Sequence, residues 1–273
     1  MNLGDSIATE TACAYVYNPE DSIPLHPGPN WTRCVCISDS HSRTNYNLPP
    51  GDVFLHAGDL SSWGYPKQVM TTLNWVRTLD YPMKMDLPDV ILERLGLVRL
   101  TPFTRTMQPT LQLRCKKGIE ELSAIQKYMK GEEMRKANVH YLEYESFEFT
   151  TASGRKWKVY GCPASPKHAA GAFQYVERGE AKAIYDKIPA DTEILLTHTP
   201  PKNCLDLTKR GKEAGCRVLR ETLKELGACK LHVFGHIHED AGVDMIDTEA
   251  GVRVAVNAAI ERSRKAIVID LLN

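Results

Sequence analysis

The chain has 273 residues, 34 of them Lys or Arg and 34 Asp or Glu, so its formal net charge is zero. That balance excludes a basic groove for a nucleic-acid backbone and the acidic excess that keeps chains disordered. With 42% apolar and 25% charged residues, the composition is that of a globular protein, and one domain is the expectation.

Residues 1–30 are rich in Pro, Asn and small side chains and close on His26-Pro-Gly-Pro-Asn30. They read as a flexible N-terminal segment ahead of a domain over 31–273. Cys34–Ser38 is the first clear strand and runs into Asp39-Ser-His41. Val53–Ala57 is the second and stops at Gly58-Asp59. Val69, Leu73 and Val76 recur at helical spacing, predicting a helix over Lys67–Leu79. Residues 86–117 are atypical and irregular, although Leu87, Val90, Ile91 and Leu95 could share a short helical face. Helical character returns over Gly118–Lys136. Tyr141–Thr150 alternates and, with the Ser153-Gly154 turn and Lys156–Tyr160, predicts a hairpin. Further elements are a helix at Glu180–Ile188, a strand at Glu193–Thr197, a helix at Arg217–Leu226 closed by Gly227, and strands at Leu231–Phe234, Val252–Val256 and Ala266–Leu271. Strands alternating with helices indicate an α/β sandwich with helices outside.

The eight cysteines form no C-x-x-C pair, which argues against a zinc ribbon. Met1–Glu20 has no basic start followed by an apolar run, so no signal peptide is expected. No run approaches the ~18 apolar residues of a membrane span, and a reducing cytoplasm is the expected compartment.

Chemistry concentrates where strands end. Asp39 and His41 follow the first strand and Asp59 the second. His198 follows Ile194-Leu-Leu-Thr197, and His236 and His238 follow His232-Val-Phe-Gly235. In open α/β sheets ligands gather beyond those ends. Any one of these residues alone reads as a turn, a cap or a hydrogen-bonded structural histidine. Together they bring two carboxylates and four imidazoles to one edge, a donor set suited to a pair of divalent cations. Of the remaining histidines among nine, His56 and His232 read as supporting or core residues, and His26, His140 and His168 as loop or surface.

Asp39-Ser-His-Ser-Arg43, Leu55-His-Ala-Gly-Asp59, Tyr160-Gly-Cys-Pro163, Leu196-Thr-His-Thr-Pro-Pro201 and His232-Val-Phe-Gly-His-Ile-His-Glu239 resemble the calcineurin-like metallophosphoesterases. The closer likeness is to the small metallophosphoesterase-domain-containing group. The resemblance implies a four-layer α/β/β/α sandwich of two mixed sheets flanked by helices. It implies two divalent metal ions, Mn2+ first with Fe, Zn2+ or Mg2+ as alternatives. Asp39, His41 and His238 would hold the first ion, His198 and His236 the second, and Asp59 would bridge them. Asp59 and His198 would be the catalytic pair, and a water between the ions would attack phosphorus. The implied substrate is a small phosphomonoester or phosphodiester, cyclic nucleotides included. Arg43 is a candidate phosphate fork, Glu239 a candidate orienter of the His238 ring, and Pro200-Pro201 would stiffen the loop after His198.

One family motif, G-N-H-D/E, is absent. By order it belongs after Tyr81-Pro-Met-Lys84, where the chain reads Met85-Asp-Leu-Pro-Asp-Val90. The family's Asn is a ligand of the second metal and its His acts on the transition state, so both roles lack an occupant. Asp86 and Asp89 are nearby oxygen donors. Three explanations compete: a weak or silent paralogue acting as a binding or regulatory module, another loop supplying the lost groups, or a displaced exon boundary over residues 86–117.

Overall fold

The computed structural model describes residues 7–88, 120–121, 123–168 and 172–273. The strands are β1 (Ile7–Ala8), β2 (Ala12–Val16), β3 (Trp31–Ile37), β4 (Val53–His56), β5 (Met83–Asp86), β6 (Val139–Tyr141), β7 (Glu145–Thr150), β8 (Lys156–Cys162), β9 (Ser165–Pro166), β10 (Gln174–Tyr175), β11 (Ile194–Thr197), β12 (Leu231–Phe234), β13 (Gly242–Thr248), β14 (Gly251–Asn257) and β15 (Ile267–Leu272). The helices are α1 (Pro66–Thr78), α2 (Glu132–Lys136), α3 (Arg178–Tyr185), α4 (Arg217–Glu225) and the short α5 (Ile260–Ser263). Residues 123–129 are also helical.

Two sheets carry the molecule, one ordered β1-β2-β15-β3-β4-β5-β6 and the other β13-β14-β12-β11-β8-β7. Strands β3, β4, β5 and β6 run parallel, as do β14, β12, β11 and β8. Antiparallel strands lie at both edges of the second sheet. The central strands are continuous apolar runs because a parallel strand is covered on both faces. Cys34, Leu55 and Met85 of the first sheet meet Trp157, Leu196 and Val233 of the second between the sheets. Val35 and Phe54, on the opposite face of the first sheet, pack on Val69, Leu73 and Val76 of α1. Tyr160 and Leu195 on the outer face of the second pack on Tyr185 and Leu219 of α3 and α4. The result is the expected α/β/β/α sandwich.

Trp157 is fully buried between the sheets. Its Nε1–H donates to Thr32 Oγ1 of the opposite sheet at 3.0 Å. Trp157→Ala is expected to cost about 3–5 kcal/mol, measured as a lower midpoint of denaturant unfolding.

Two expectations are corrected. Part of the N-terminal segment is built into the first sheet rather than flexible. Strand β2 pairs antiparallel with β15, and its Ala12 and Ala14 pack into the core between the sheets. Arg33 ties down the stretch between β2 and β3. Its guanidinium grips Asp270 at 2.7 and 2.8 Å and also donates to the carbonyls of Pro24 and Leu25 at 2.8 and 3.1 Å. Small alanines and a distant Asp leave little local trace of this. Likewise, Tyr141–Thr150 is not one strand. The chain leaves β6 of the first sheet and enters β7 of the second, turning at Tyr144, whose φ is 55°. Of the atypical segment, β5 ends on Asp86 and Leu87 is buried. Asp89, Val90, Ile91 and Leu95 lie outside the described residues.

Among the described residues seven cysteines are free, and no helix is long and apolar enough to cross a membrane.

Candidate metal centre

Every candidate site residue stands just past the C-terminal end of β3, β4, β11 or β12. Asp39, His41, Asp59 and His236 have positive φ, of 56°, 47°, 54° and 69°. The αL region is costly for residues other than Gly, and such strain gathers where a site demands a particular side-chain direction. Backbone bonds hold the turns together: Asp39 N–H donates to Gly58 O at 2.9 Å, His41 N–H to Asp59 O at 3.1 Å, and Gly235 N–H to His198 O at 3.0 Å.

The two motif glycines let side chains from neighbouring strands through. At Gly58, with φ +97°, an added Cβ would lie 2.9 Å from His198 Nδ1. At Gly235 it would lie 2.0 Å from Asp39 Oδ2 and 2.2 Å from Ser38 Oγ.

The imidazoles are anchored on one side and aimed inward on the other. His41 Nδ1 faces the Ser61 carbonyl at 3.2 Å and His198 Nδ1 the Ala57 carbonyl at 3.0 Å. A carbonyl only accepts, so both Nδ1 atoms carry a proton and the Nε2 atoms are the ones directed inward. These nitrogens face Asp59 from two sides, His41 Nε2 at 3.9 Å from Oδ2 and His198 Nε2 at 3.6 Å from Oδ1. His238 Nδ1 meets Glu261 at 2.8 Å and its Nε2 meets Asp39 Oδ1 at 3.0 Å. His41 Nε2 and His238 Nε2 are 3.3 Å apart, and His198 Nε2 and His236 Nδ1 are 3.1 Å apart. Asp39 Oδ2 accepts the His236 N–H at 2.9 Å.

Two donor groups result, Asp39–His41–His238 and Asp39–Asp59–His198, each with its donor atoms within 4.8 Å of one another. His236 joins through its contact with His198. Lone pairs and carboxylates crowded this closely repel one another unless a proton or a cation sits between them. The residues present therefore fit a pair of divalent ions, and imidazoles anchored through their far nitrogens are the usual supports of such ions.

No family model matches the chain. The chain is 33% identical over 261 residues to the human protein named metallophosphoesterase domain-containing protein 1, covering 93% of this chain and 74% of that protein. It belongs to the metallophosphoesterase-domain-containing family. It is also 32% identical over 242 residues to a protein of Emericella nidulans named probable rhamnogalacturonate lyase C, but spans only 20% of that protein's length. A solved dimetal phosphatase from Danio rerio aligns with a TM-score of 0.42 at 10% identity, over 88% of this chain and 92% of that one.

The electrostatics of this cluster arise from its crowding. Burial alone would raise the Asp39 carboxyl, but the His238 hydrogen bond and the nearby imidazoles hold it well below the usual carboxylate range. Burial opposes charge on His238 too, yet its bond to Asp39, with Glu261 and Asp59 nearby, raises it to about 9. Burial and then His198 push His236 down to about 3.

Some supporting residues were not legible in the sequence. Glu261, not Glu239, meets His238; Glu239 instead pairs with Arg262 at 3.2 Å. Arg43, expected to fork a phosphate, turns to Glu261, donating to its carbonyl at 3.2 Å and approaching its carboxylate at 3.5 Å. Asn257 Nδ2 donates to Leu205 O at 3.0 Å and Ile237 O at 2.8 Å, bracing the Gly235-His-Ile-His238 loop. No motif marks Glu261 or Asn257. They arrive from β14 and α5, far along the chain.

Asp86 does not replace the missing Asn. It is 1% exposed and directed at His56, with Oδ1 3.2 Å from Nδ1. That nitrogen already receives the Gly58 N–H at 3.2 Å, so Asp86 sits at ion-pair distance without an aligned hydrogen bond. Burial raises its carboxyl pKa, offset in part by His56 and the Leu87 N–H. A carboxyl held above its unfolded value contributes stability below that value and loses it as pH rises through the folded one. The raised carboxyl therefore works against stability as pH rises through its folded value. Asp86→Asn is expected to raise the thermal midpoint at pH 7 by about 2–4 °C. The gain should shrink toward pH 4, as monitored by calorimetry across pH.

Proposed function

We propose that this chain is a phosphoesterase that hydrolyses small phosphomonoesters or phosphodiesters, cyclic nucleotides among them, at two divalent ions. Mn2+ is the first choice, with Fe, Zn2+ or Mg2+ as alternatives. The observation that carries this reading is the convergence of the Nε2 atoms of His41 and His198 on the two oxygens of Asp59. On this reading Asp39, His41 and His238 hold one ion, His198 and His236 the other, and Asp59 both. Ions bound in such a pair lower the pKa of a coordinated water and polarise a phosphoryl oxygen.

The chain's own residues then have defined tasks. Asp39 and Asp59 neutralise the ions. Ala57 O and Ser61 O hold the Nδ1 sides of His198 and His41, so that each Nε2 faces inward. Glu261 holds the His238 ring from behind. The test is metal content and turnover of bis(p-nitrophenyl) phosphate after Mn2+ loading. Two ions per chain with hydrolysis is expected; no bound metal and no hydrolysis would refute it.

A second reading, a silent binding or regulatory module, is favoured by the absence of Gly-Asn-His from the sequence and by the direction of Asp86. One ion per chain without turnover would select it.

A further inference from the structure

We propose that His168 contacts the phosphoryl group of the substrate from the open side of the centre, beside His236. This rests on the phosphoesterase reading. The sequence marks His168 as an ordinary loop histidine. The structure sets its ring edge-on to that of His236, with centroids 5.6 Å apart and planes at 89°.

The argument is one of donor supply. A phosphoryl group is rich in acceptor oxygens and needs N–H or O–H groups aimed at it. His41, His198 and His238 have both ring nitrogens turned to an anchor or to another member of the cluster. Arg43 is turned to Glu261. His168 is exposed, belongs to neither donor group, and no described residue hydrogen-bonds its ring. Among the described residues it is therefore an imidazole beside the cluster whose nitrogens have no hydrogen-bond partner.

Its mounting suits a positioning task, which needs support from packed elements. It stands two residues past β9, which pairs with β10. The preceding Lys167 N–H donates to Tyr175 O at 2.9 Å. Tyr175 is itself buried, with its hydroxyl 2.9 Å from Cys216 Sγ and 3.2 Å from the Tyr185 hydroxyl. The outer core of the second sheet thus carries this strap.

The test compares wild type, His168→Ala and His168→Asn after Mn2+ loading. Bound metal is measured by elemental analysis and inorganic phosphate affinity by titration calorimetry, with bis(p-nitrophenyl) phosphate turnover alongside. Expected is full metal content in all three. Phosphate binding should weaken about tenfold or more in His168→Ala, the loss of one charge-assisted hydrogen bond, with partial recovery in His168→Asn, whose amide still donates. Equal phosphate affinity in wild type and His168→Ala would overturn the proposal and leave the phosphoesterase reading standing. Metal loss in His168→Ala would also overturn it, making His168 a support of the metal centre. Wild type that takes up no Mn2+ or binds no phosphate would overturn both.

Discussion

Asp59→Asn is expected to lower the affinity for both ions and to reduce turnover of bis(p-nitrophenyl) phosphate by about a hundredfold or more, since metal-ion charge stabilisation is worth several kcal/mol and each ~1.4 kcal/mol is tenfold. Asp59 presents one oxygen toward His41 and the other toward His198. Asn keeps the shape but removes the charge that neutralises two cations, so fold and midpoint should change little while metal content collapses. The comparison is His140→Ala. His140 stacks on Phe147 at 3.9 Å and lies on β6, so its removal should leave metal content intact. Equal metal loss in the two variants, by elemental analysis, would sink the assignment of Asp59.

Gly235→Ala should act on the same centre by crowding alone. The new methyl would stand 2.0 Å from Asp39 Oδ2 and 2.6 Å from Ser38 Cβ, distances no packing tolerates. Asp39 also accepts the His236 N–H and meets His238, so shifting it disturbs three candidate ligands. Expected are loss of bound metal and a destabilisation of about 1–3 kcal/mol, the usual cost of overpacking. Gly227→Ala is the control, because its Cβ would find only Ala250 Cβ at 3.8 Å. If Gly235→Ala keeps its metal and midpoint, the close approach of Asp39 is wrong.

Much of the fold was legible because its core strands are short apolar runs ending in polar turns. Val53–His56 and Leu231–Phe234 announce themselves in this way. The edges were not. Strand β13 (Gly242–Thr248) alternates only weakly in burial, and β2 is a short run of small residues whose partner, β15, lies at the far end of the chain. The break between β6 and β7 was hidden because alternation continues across it; only the left-handed Tyr144 shows the chain changing sheets.

The sequence by itself determined which residues gather at one edge of the sheets. Asp39-Ser-His41, Gly58-Asp59, His198 and Gly235-His-Ile-His238 each come directly after a strand, and strand ends of a parallel sheet lie side by side, so local pattern was enough to gather them. Only the tertiary structure decided how those groups are held and what stands around them. Glu261 rather than Glu239 meets His238, Arg43 is drawn away from the centre, Asp86 turns to His56, and His168 stands against His236. The reason is physical. Backbone pattern dictates where a strand ends, but a side chain's hydrogen-bond partner is chosen by packing, and packing joins residues that the sequence keeps far apart.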